Sequence, residues 1–255
     1  MNSLLSTLRM YGYQQCVWED DFQYTLPSTW TDVATDSGTA TIGIATLTTG
    51  AKVLVPSDGT VADNDEIYSY GPKLITLKQS AAFAMVTILK YTEANTDDAN
   101  IGIGLSKTAP AANFLVDDGG GISNNANYDG FYFEKIDGTL AWKSLTQWSG
   151  TSFSNRSVSR TSPVFSGRQA LIIEVRCSPN SGNLFAEVTY KVAYIESGGT
   201  PEPLTVTTGL VPLTVRDRPT FSGTTDLMPV LTAKNGSANN ESIAVDYVGL
   251  FQIRA

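Results

Sequence analysis

Hydrophobic and polar residues alternate along much of the chain, and the longest alternating run lies near its C-terminal end. Between Ile243 and Ile253 the odd-numbered positions carry Ile, Val, Tyr, Gly, Phe and Ile, and the even-numbered positions carry Ala, Asp, Val, Leu and Gln. A period of two places successive side chains on opposite faces of a β-strand. The pattern predicts one long strand whose odd-numbered face, including Phe251, points at the opposite sheet. Because a bare apolar edge strand promotes aggregation, we expect this strand inside a sheet.

Other runs predict further strands. Phe83–Tyr91 is apolar on both faces, which is typical of a central strand that is covered on two sides. Ala170–Cys177 and Leu184–Ile195 predict two long strands joined by a polar turn. In Ile101–Leu105 glycine alternates with apolar residues, which predicts that a neighbouring backbone comes close to this strand.

The clearest hairpin signal is the dipeptide Asp137-Gly138. It separates two strand-like runs, Phe131–Ile136 and Thr139–Leu145. Asp-Gly readily adopts the positive φ angles of a two-residue type I′ turn, so the sequence predicts a tight hairpin at this point.

Roughly a dozen strand signals with few helix signals predict an all-β fold, a two-sheet antiparallel sandwich. Apart from the N-terminal segment, the only helix signal is a single turn near Ala109–Phe114. No shift in composition divides residues 18–255. We therefore expect one sandwich domain, residues 18–255, preceded by an N-terminal arm, residues 1–17.

The N-terminal arm has its own apolar pattern. Leu4, Leu5 and Leu8 follow Ser3, a residue type that caps helices, and Tyr11 and Tyr13 come next. A helix this short is marginal in water on its own. The arm therefore either binds a partner or remains a disordered or self-packed terminus.

Composition removes several classes of function. The chain has 255 residues, a net charge of −8 and no histidine. The acidic balance argues against nucleic acid as a partner. Without histidine there is no Ser-His-Asp triad, Cys-His pair or histidine-based zinc site. No run is long and apolar enough to predict a membrane span, and we expect no secretory signal peptide.

The two cysteines are too few for a disulfide framework. Cys177 continues an apolar strand face, which predicts a buried thiol. A bridge between Cys16 and Cys177 stays open, since the sequence gives no geometry with which to judge it.

Three segments carry a family resemblance: Trp18-Glu-Asp-Asp-Phe22 followed by Trp30, the central run from Gly130 to Trp142, and Val245-Asp-Tyr-Val248. Together they resemble concanavalin A-like (laminin G-like) jelly rolls over about residues 18–255. In size and composition the chain also resembles structural proteins of tailed-bacteriophage virions. The resemblance implies a jelly-roll sandwich, made in a bacterial host cytoplasm and located in the virion.

Hydrolases of the concanavalin-like class carry two carboxylates on one strand face, one acting as acid and the other as nucleophile. The spacing Glu-x-Asp-x-x-Glu is absent here. Glu174 and Glu187 stand alone on their strands, and Glu134 and Asp137 flank a turn. We therefore expect a non-enzymatic protein with no catalytic residues.

Two groups of residues are candidates for ligand binding. Aromatic rings can stack on sugars, and amides or carboxylates can form hydrogen bonds with sugar hydroxyls. Tyr128, Asp129 and Trp148 therefore form a candidate glycan site beside an Asn-rich segment. Aromatic rings of this kind more often belong to the core. Asp58, Asp63 and Asp65 form an acidic loop, a weak candidate for Ca²⁺. A solvated acidic loop is the favoured interpretation, so we expect no metal or other cofactor.

Taken together, these features favour a non-enzymatic virion structural protein, a capsid decoration or cement protein of a tailed bacteriophage. In this hypothesis the arm residues Leu4, Leu5, Leu8, Tyr11 and Tyr13 bind other virion proteins, with the major capsid protein as the expected partner. Self-association into a homo-oligomer stays open. The alternative is a carbohydrate-binding lectin-like module that binds a host glycan, and a third hypothesis is a diverged hydrolase.

Overall fold

The structure is a computed structural model, and the part of the chain that it describes consists of residues 13–22, 29–35, 43–45, 51–56, 64–77, 82–92, 99–117, 120–136, 138, 142–148, 151–152, 156–157, 168–180, 183–195, 216–217, 220–221, 225–236 and 242–253. Within these residues the only helix is one 3-10 turn, Ala126–Tyr128. The strands are, in chain order, β1 Tyr13–Asp20, β2 Thr31–Thr35, β3 Gly43–Ala45, β4 Ala51–Leu54, β5 Glu66–Tyr70, β6 Ile75–Leu77, β7 Ala82–Thr92, β8 Ala99–Ser106, β9 Leu115–Val116, β10 Gly121–Ile122, β11 Gly130–Lys135, β12 Lys143–Trp148, β13 Thr151–Ser152, β14 Arg156–Ser157, β15 Arg168–Asn180, β16 Asn183–Ile195, β17 Arg216–Asp217, β18 Thr220–Phe221, β19 Thr225–Asn235 and β20 Ser242–Ile253.

The strands form two large antiparallel sheets packed as a sandwich, which confirms the predicted fold class. Sheet A has the order β17-β16-β15-β7-β20-β4-β3, with β1 also on β20 and β18 on β16. Sheet B has the order β13-β12-β11-β8-β19-β5-β2, with β14 on β12 and β6 on β19. Strands β9 and β10 form a small separate ribbon. Among the described residues no helix is long and apolar enough to cross a membrane.

The main core lies between the two sheets. It contains Leu171 and Ile173 of sheet A and Phe131 and Phe133 of sheet B, each at most 1% exposed. The core forms because alternate residues of each strand point inward, and burying a large apolar side chain contributes about 1.5–3 kcal/mol. Tyr190 crosses the core, where its hydroxyl donates to the carbonyl of Leu145, 2.8 Å away.

A β-bulge in β20 reverses the alternation that the sequence shows. Val245 pairs with Leu89 of β7, but the next paired residue of β20 is Tyr247, so Asp246 is an extra residue. Inserting one residue exchanges the faces of all the residues that follow. Beyond the bulge the even-numbered residues Val248 and Leu250 therefore point into the main core.

Phe251 consequently lies in a second apolar cluster, on the outer face of sheet A. The prediction that it points at the opposite sheet is wrong, although the prediction that it is buried is confirmed, since its side chain is 2% exposed. The cluster also contains Val86, Ile172 and Tyr247. The position of β20 between β7 and β4 confirms that this strand lies inside a sheet.

The predicted hairpin is present, but its connection is longer than a two-residue turn. Glu134 pairs with Lys143, so the second strand begins four residues later than the predicted Thr139. Gly138 does adopt a positive φ of 73°. Trp142, just before β12, packs into the main core.

The close approach predicted for Ile101–Leu105 is confirmed. A Cβ atom at Gly104 would collide with the backbone of Phe131 and Tyr132 on the adjacent strand β11. The prediction that Cys177 is a buried thiol is also confirmed, and no bridge joins it to Cys16, because both cysteines are free. Burial raises the pKa of the Cys177 thiol to about 11.

The N-terminal motif Trp18–Phe22 with Trp30 builds one corner of the sandwich. The ring of Trp30 lies 5.6 Å from that of Trp18 and 5.9 Å from that of Phe22. Asp20 accepts hydrogen bonds from the Trp30 indole at 3.0 Å and from the Phe22 amide at 2.9 Å. The second bond holds Phe22 at a positive φ of 51°, a strained angle for a bulky residue.

Strand β1 begins at Tyr13, so Tyr13, Gln15 and Cys16 of the predicted arm pair with β20. The side chain of Tyr13 and all of residues 1–12, with Leu4, Leu5, Leu8 and Tyr11, lie outside what the structure describes.

Candidate functional site

The segment that joins β8 to β11, residues 107–129, folds over the outer face of sheet B, and we name it the covering loop. Its apolar residues share one cluster with outward-facing side chains of the sheet. The loop contributes Phe114, Leu115, Ile122 and Tyr128, and the sheet contributes Tyr68, Tyr132, Leu145, Met228 and Val230.

Phe114 anchors the covering loop. Its side chain is fully buried, and its ring contacts three tyrosine rings edge to face. The centroids of Tyr128, Tyr132 and Tyr68 lie 4.8, 5.9 and 6.1 Å from that of Phe114. Such aromatic pairs contribute about 0.5–1.5 kcal/mol each beyond the area that they bury. The sequence predicted a helical turn at this point, whereas the structure has a non-helical turn, closed by a bond from the Phe114 amide to the Ala111 carbonyl.

Three buried polar side chains of sheet B hold three separate parts of the loop. The first is Lys234 of β19, whose Nζ atom donates to Glu66 Oε1 at 2.7 Å, to the Leu115 carbonyl at 3.1 Å and to Asp117 Oδ1. Burial alone would lower the pKa of Lys234, but the hydrogen bonds and charges of Asp117 and Glu66 outweigh burial and raise it.

Glu66 extends this polar group. It pairs with Lys234 across the β5–β19 ladder. Its second carboxylate oxygen accepts a hydrogen bond from the Tyr68 hydroxyl and another from the Asn113 amide, 3.3 Å away. Glu66 therefore joins the loop to the sheet on the same side as Lys234.

The second holding residue is Glu134 of β11. Its Oε2 atom accepts a hydrogen bond from the Ile122 amide at 3.0 Å. Burial raises the pKa of the Glu134 carboxyl above its ordinary value of 4.5, although this bond and the charge of Lys143 act to lower it. The loop comes so close here that a Cβ at Gly121 would meet the Glu134 carboxylate, and Gly121 has a positive φ of 68°.

The third is Gln147 of β12. Its Nε2 atom donates to the carbonyls of Ser123 and Asn125, at 3.1 and 2.6 Å. Asn125 in turn caps the 3-10 turn, since its Oδ1 atom accepts from the Asn127 amide at 3.0 Å. These bonds fix the backbone of the Asn-rich segment.

The outward side of the covering loop carries polar side chains beside the apolar residues Ala111, Ala112 and Val116. Its exposed residues include side-chain amides and one carboxylate, which are Asn113, Asp117, Asn124, Asn125 and Asn127. Amides both donate and accept hydrogen bonds, and a carboxylate accepts them. The structure thus presents a set of polar groups on a loop whose inner side is packed and bonded to the sheet.

The three candidates for sugar contact do not share one surface. Trp148 faces the main core, where its ring stacks on that of Phe131 at 6.1 Å. Tyr128 and Asp129 belong to the covering loop on the other side of sheet B, and both are buried. Asp129 forms an ion pair with Lys107 at 3.3 Å. Trp142 also lies in the main core.

The acidic-loop candidates lie largely outside the described residues. Asp58 and Asp63 are not described, and Asp65 is buried, with its carbonyl accepting from the Asn235 amide at 3.0 Å. In the part of the chain that is described, no three His, Cys, Asp or Glu side chains form a group that could hold a metal ion. The oxygens of Glu66, Leu115 and Asp117 do converge, but the Lys234 ammonium occupies their centre, so this group does not fit a metal.

The carboxylates considered for hydrolysis are far apart. Glu134 lies on the outer face of sheet B, alternating with the core residues Phe131 and Phe133. Glu174 lies on the outer face of sheet A, where it pairs with Lys191 at 2.6 Å. The two carboxylates therefore point away from each other across the whole sandwich.

Sequence reasoning did not identify Lys234 or Gln147 as functional residues. A signal was present for the first, because Lys234 continues the face of β19 that carries Met228 and Val230. A charged residue at the end of an apolar face indicates a buried partner. Gln147 gave no comparable signal, because glutamine is common on exposed strand faces.

Comparisons with known proteins show the fold. No protein-family model matches the sequence, and no curated protein matches it. The carbohydrate recognition domain of Emp47p is similar over 96% of this chain and 98% of that one, at 15% identity and a TM-score of 0.58. The CBM2 module of the evolved Dit of Lactobacillus casei BL23 phage J-1 is similar over 96% and 98%, at 13% identity and a TM-score of 0.53.

A third similar structure is the potassium-bound form of the Emp46p carbohydrate recognition domain. The similarity extends over 89% of this chain and 90% of the Emp46p chain, at 12% identity and a TM-score of 0.50. At these identities the likeness concerns the fold alone, a lectin-type jelly roll.

Proposed function

We propose that this protein is a carbohydrate-binding, lectin-like module that binds a glycan through the exposed side of the covering loop. The fold likeness supports the class of function, since the Emp47p and Emp46p structures are carbohydrate recognition domains by name. The observation that carries the proposal is the arrangement of the loop. Its exposed Asn and Asp side chains stand on a backbone that Phe114, Glu134 and Gln147 hold against sheet B.

Such an arrangement suits sugar hydroxyls. Each hydroxyl both donates and accepts a hydrogen bond, and the amides of Asn124 and Asn127 offer both functions. A loop that is already ordered loses little conformational entropy on binding, so more of the interaction free energy appears as affinity. In this proposal Tyr128 and Asp129 act from beneath, by holding the loop in place.

We expect binding without turnover. Glycoside hydrolysis by an acid and a second carboxylate requires the two groups within about 5–10 Å of each other. Glu134 and Glu174 lie on opposite outer faces of two sheets that pack about 10 Å apart, so they cannot flank one glycosidic bond.

The test is a glycan array followed by calorimetry with the best ligand. The double variant Asn124→Ala/Asn127→Ala is expected to bind at least about tenfold more weakly, the effect of losing one or two hydrogen bonds, with an unchanged melting temperature. Gln252→Ala, at an exposed position of sheet A, is the matched control and should bind normally. Absence of any glycan ligand, or full binding by the double variant, would contradict the proposal.

A second candidate function is a module of a tailed-phage virion, a capsid decoration protein among the options, attached through residues 1–17. The similarity to the phage J-1 Dit module is the observation that favours it. In this candidate Leu4, Leu5, Leu8, Tyr11 and Tyr13 contact other virion proteins. Co-sedimentation with particles that lack the protein tests it: a form without residues 1–12 should no longer sediment with them.

A further inference from the structure

A lysine lies at the centre of the oxygen atoms that tie the covering loop to sheet B. Lys234 is 2% exposed, and an ammonium group has three hydrogens to donate. Three oxygens accept them: Glu66 Oε1 of the sheet, and Asp117 Oδ1 and the Leu115 carbonyl of the loop. Carboxylate and carbonyl oxygens are also the ligands that hard metal cations prefer.

We propose that the Lys234 ammonium is a built-in cation which holds the first part of the covering loop on sheet B, so that the ligand-facing surface is assembled without a metal ion. The proposal rests on the proposed function only in calling that surface ligand-facing. The similar domain of Emp46p has both a potassium-bound form and a metal-free form.

The charges support this assignment. Glu66 is buried and Asp117 is about half exposed, and two carboxylates brought this close repel each other unless a cation lies between them. The ammonium supplies that cation from within the chain, and it is present at any concentration of free metal. A metal ion entering the same group would meet the positive charge of Lys234 in addition to its own dehydration cost.

The other loop attachments are of a different kind. Glu134 and Gln147 hold the segment from Ile122 to Asn125 through neutral backbone groups. Loss of the ammonium should therefore loosen residues 113–117 and leave the Asn-rich segment in place.

The experiment measures hydrogen–deuterium exchange of peptides from residues 107–129, with and without a chelator, and calorimetric titration of the unaltered protein with Ca²⁺ and with K⁺. We expect no heat of binding and no change in exchange or melting temperature when the chelator is added. Stoichiometric binding of either cation, or faster exchange in chelator, would overturn the proposal.

The variant Lys234→Met removes the charge and keeps an unbranched side chain that is one atom shorter. It should exchange about tenfold or more faster at residues 113–117, since buried charge-assisted bonds are lost, while residues 122–125 stay protected. Lys191→Met is the matched control, because it removes a Lys–Glu pair of 2.6 Å from the outer face of sheet A. Unchanged exchange in Lys234→Met would overturn the proposal.

If Lys234→Met does not fold, Lys234→Met/Glu66→Gln removes the buried unpaired charge and should restore the fold without restoring protection of residues 113–117. Protection in this double variant would equally overturn the proposal. None of these measurements uses a sugar, so a failure of the proposed glycan binding leaves their outcome readable.

Discussion

At the scale of single residues, the buried ionisable side chains differ in what surrounds them. Lys52 is buried, forms an ion pair with Asp32 at 2.6 Å and lies 5.2 Å from the centroid of the Trp30 ring. Lys234 has two carboxylates beside it. Glu134 instead accepts a hydrogen bond from a neutral backbone amide, so burial dominates its ionisation and its pKa is raised.

This difference predicts a pH dependence. In the unfolded state Glu134 loses its proton near pH 4.5, but in the folded state its raised pKa keeps the proton on to a higher pH. The folded state is therefore destabilised as the pH rises from 4.5 through the raised pKa. Glu134→Gln cannot ionise and should be at least as stable as the unaltered protein at pH 7. Any gain in stability of Glu134→Gln over the unaltered protein should disappear below about pH 4.5, the ordinary pKa of a glutamate carboxyl.

Urea titration at several pH values measures this effect. Asp226→Asn, at an exposed carboxylate of the same sheet, controls for the change in net charge. If Glu134→Gln lowers the free energy of unfolding at pH 7 by more than about 1 kcal/mol, the value of an ordinary hydrogen bond, then the charged carboxylate stabilises the loop and the prediction is wrong.

Phe251 gives a second prediction at this scale. Its ring is buried in the outer cluster of sheet A, so Phe251→Ala should cost about 3–5 kcal/mol even though the side chain lies outside the main core. Gln252→Ala, at the exposed neighbouring position, should change stability by no more than about 0.5 kcal/mol. Denaturant unfolding measures both, and a loss below about 1 kcal/mol for Phe251→Ala would mean that the cluster contributes little.

At the scale of elements, the bulge at Asp246 decides which face of β20 enters the main core. Both faces of this strand carry large apolar residues, with Val248 and Leu250 on one side and Phe251 and Ile253 on the other. The bulge therefore selects between two registers that the composition of the strand would allow.

Deleting Asp246 tests this role. The deletion should drive Tyr247 and Phe251 toward the main core and Val248 and Leu250 away from it, so we expect a loss above about 4–5 kcal/mol or no cooperative unfolding. Asp246→Ala keeps the extra residue and should be much less damaging. Equal stability of the two variants in thermal melting would show that the bulge does not fix the register.

Strands β15, β19 and β20 show which features of the fold and of the candidate site could be predicted from the sequence. The strand at Ala170–Cys177 was predictable because alternation is a local property of the sequence, and no extra residue interrupts the pairing of β15. The faces of β20 were not, since an extra residue leaves no trace when both faces are apolar. The Lys234 group was not predictable either, because its partners Glu66 and Asp117 lie 168 and 117 residues away in the chain.

At the scale of the whole molecule, β1 and β4 share one edge of β20. Strand β4 pairs with Ile243–Val245, and β1 pairs with the stretch from Val248 to Ile253. The N-terminal strand therefore completes sheet A beside a strand that is distant in sequence.

Two truncations test this arrangement. Deleting residues 1–12 leaves β1 intact, and we expect a folded sandwich that unfolds cooperatively. Deleting residues 1–20 also removes β1 and leaves the edge of β20 unpaired, so we expect a clearly lower melting temperature and aggregation. If both truncated forms melt at the same temperature, the pairing of β1 adds nothing to stability.

Strands β19 and β20 each occupy the middle of a sheet, β19 between β8 and β5 and β20 between β7 and β4. During translation, every earlier strand described here is synthesised before residues 225–253 exist. Until then each sheet consists of two halves with no strand to join them, and the edges of β4, β5, β7 and β8 lack these partners. The sandwich therefore closes only after β19 and β20 have been synthesised, and contacts this distant in sequence also make folding slow. A nascent chain halted before residue 225 should depend on chaperones, because it exposes apolar strand edges that the finished protein hides.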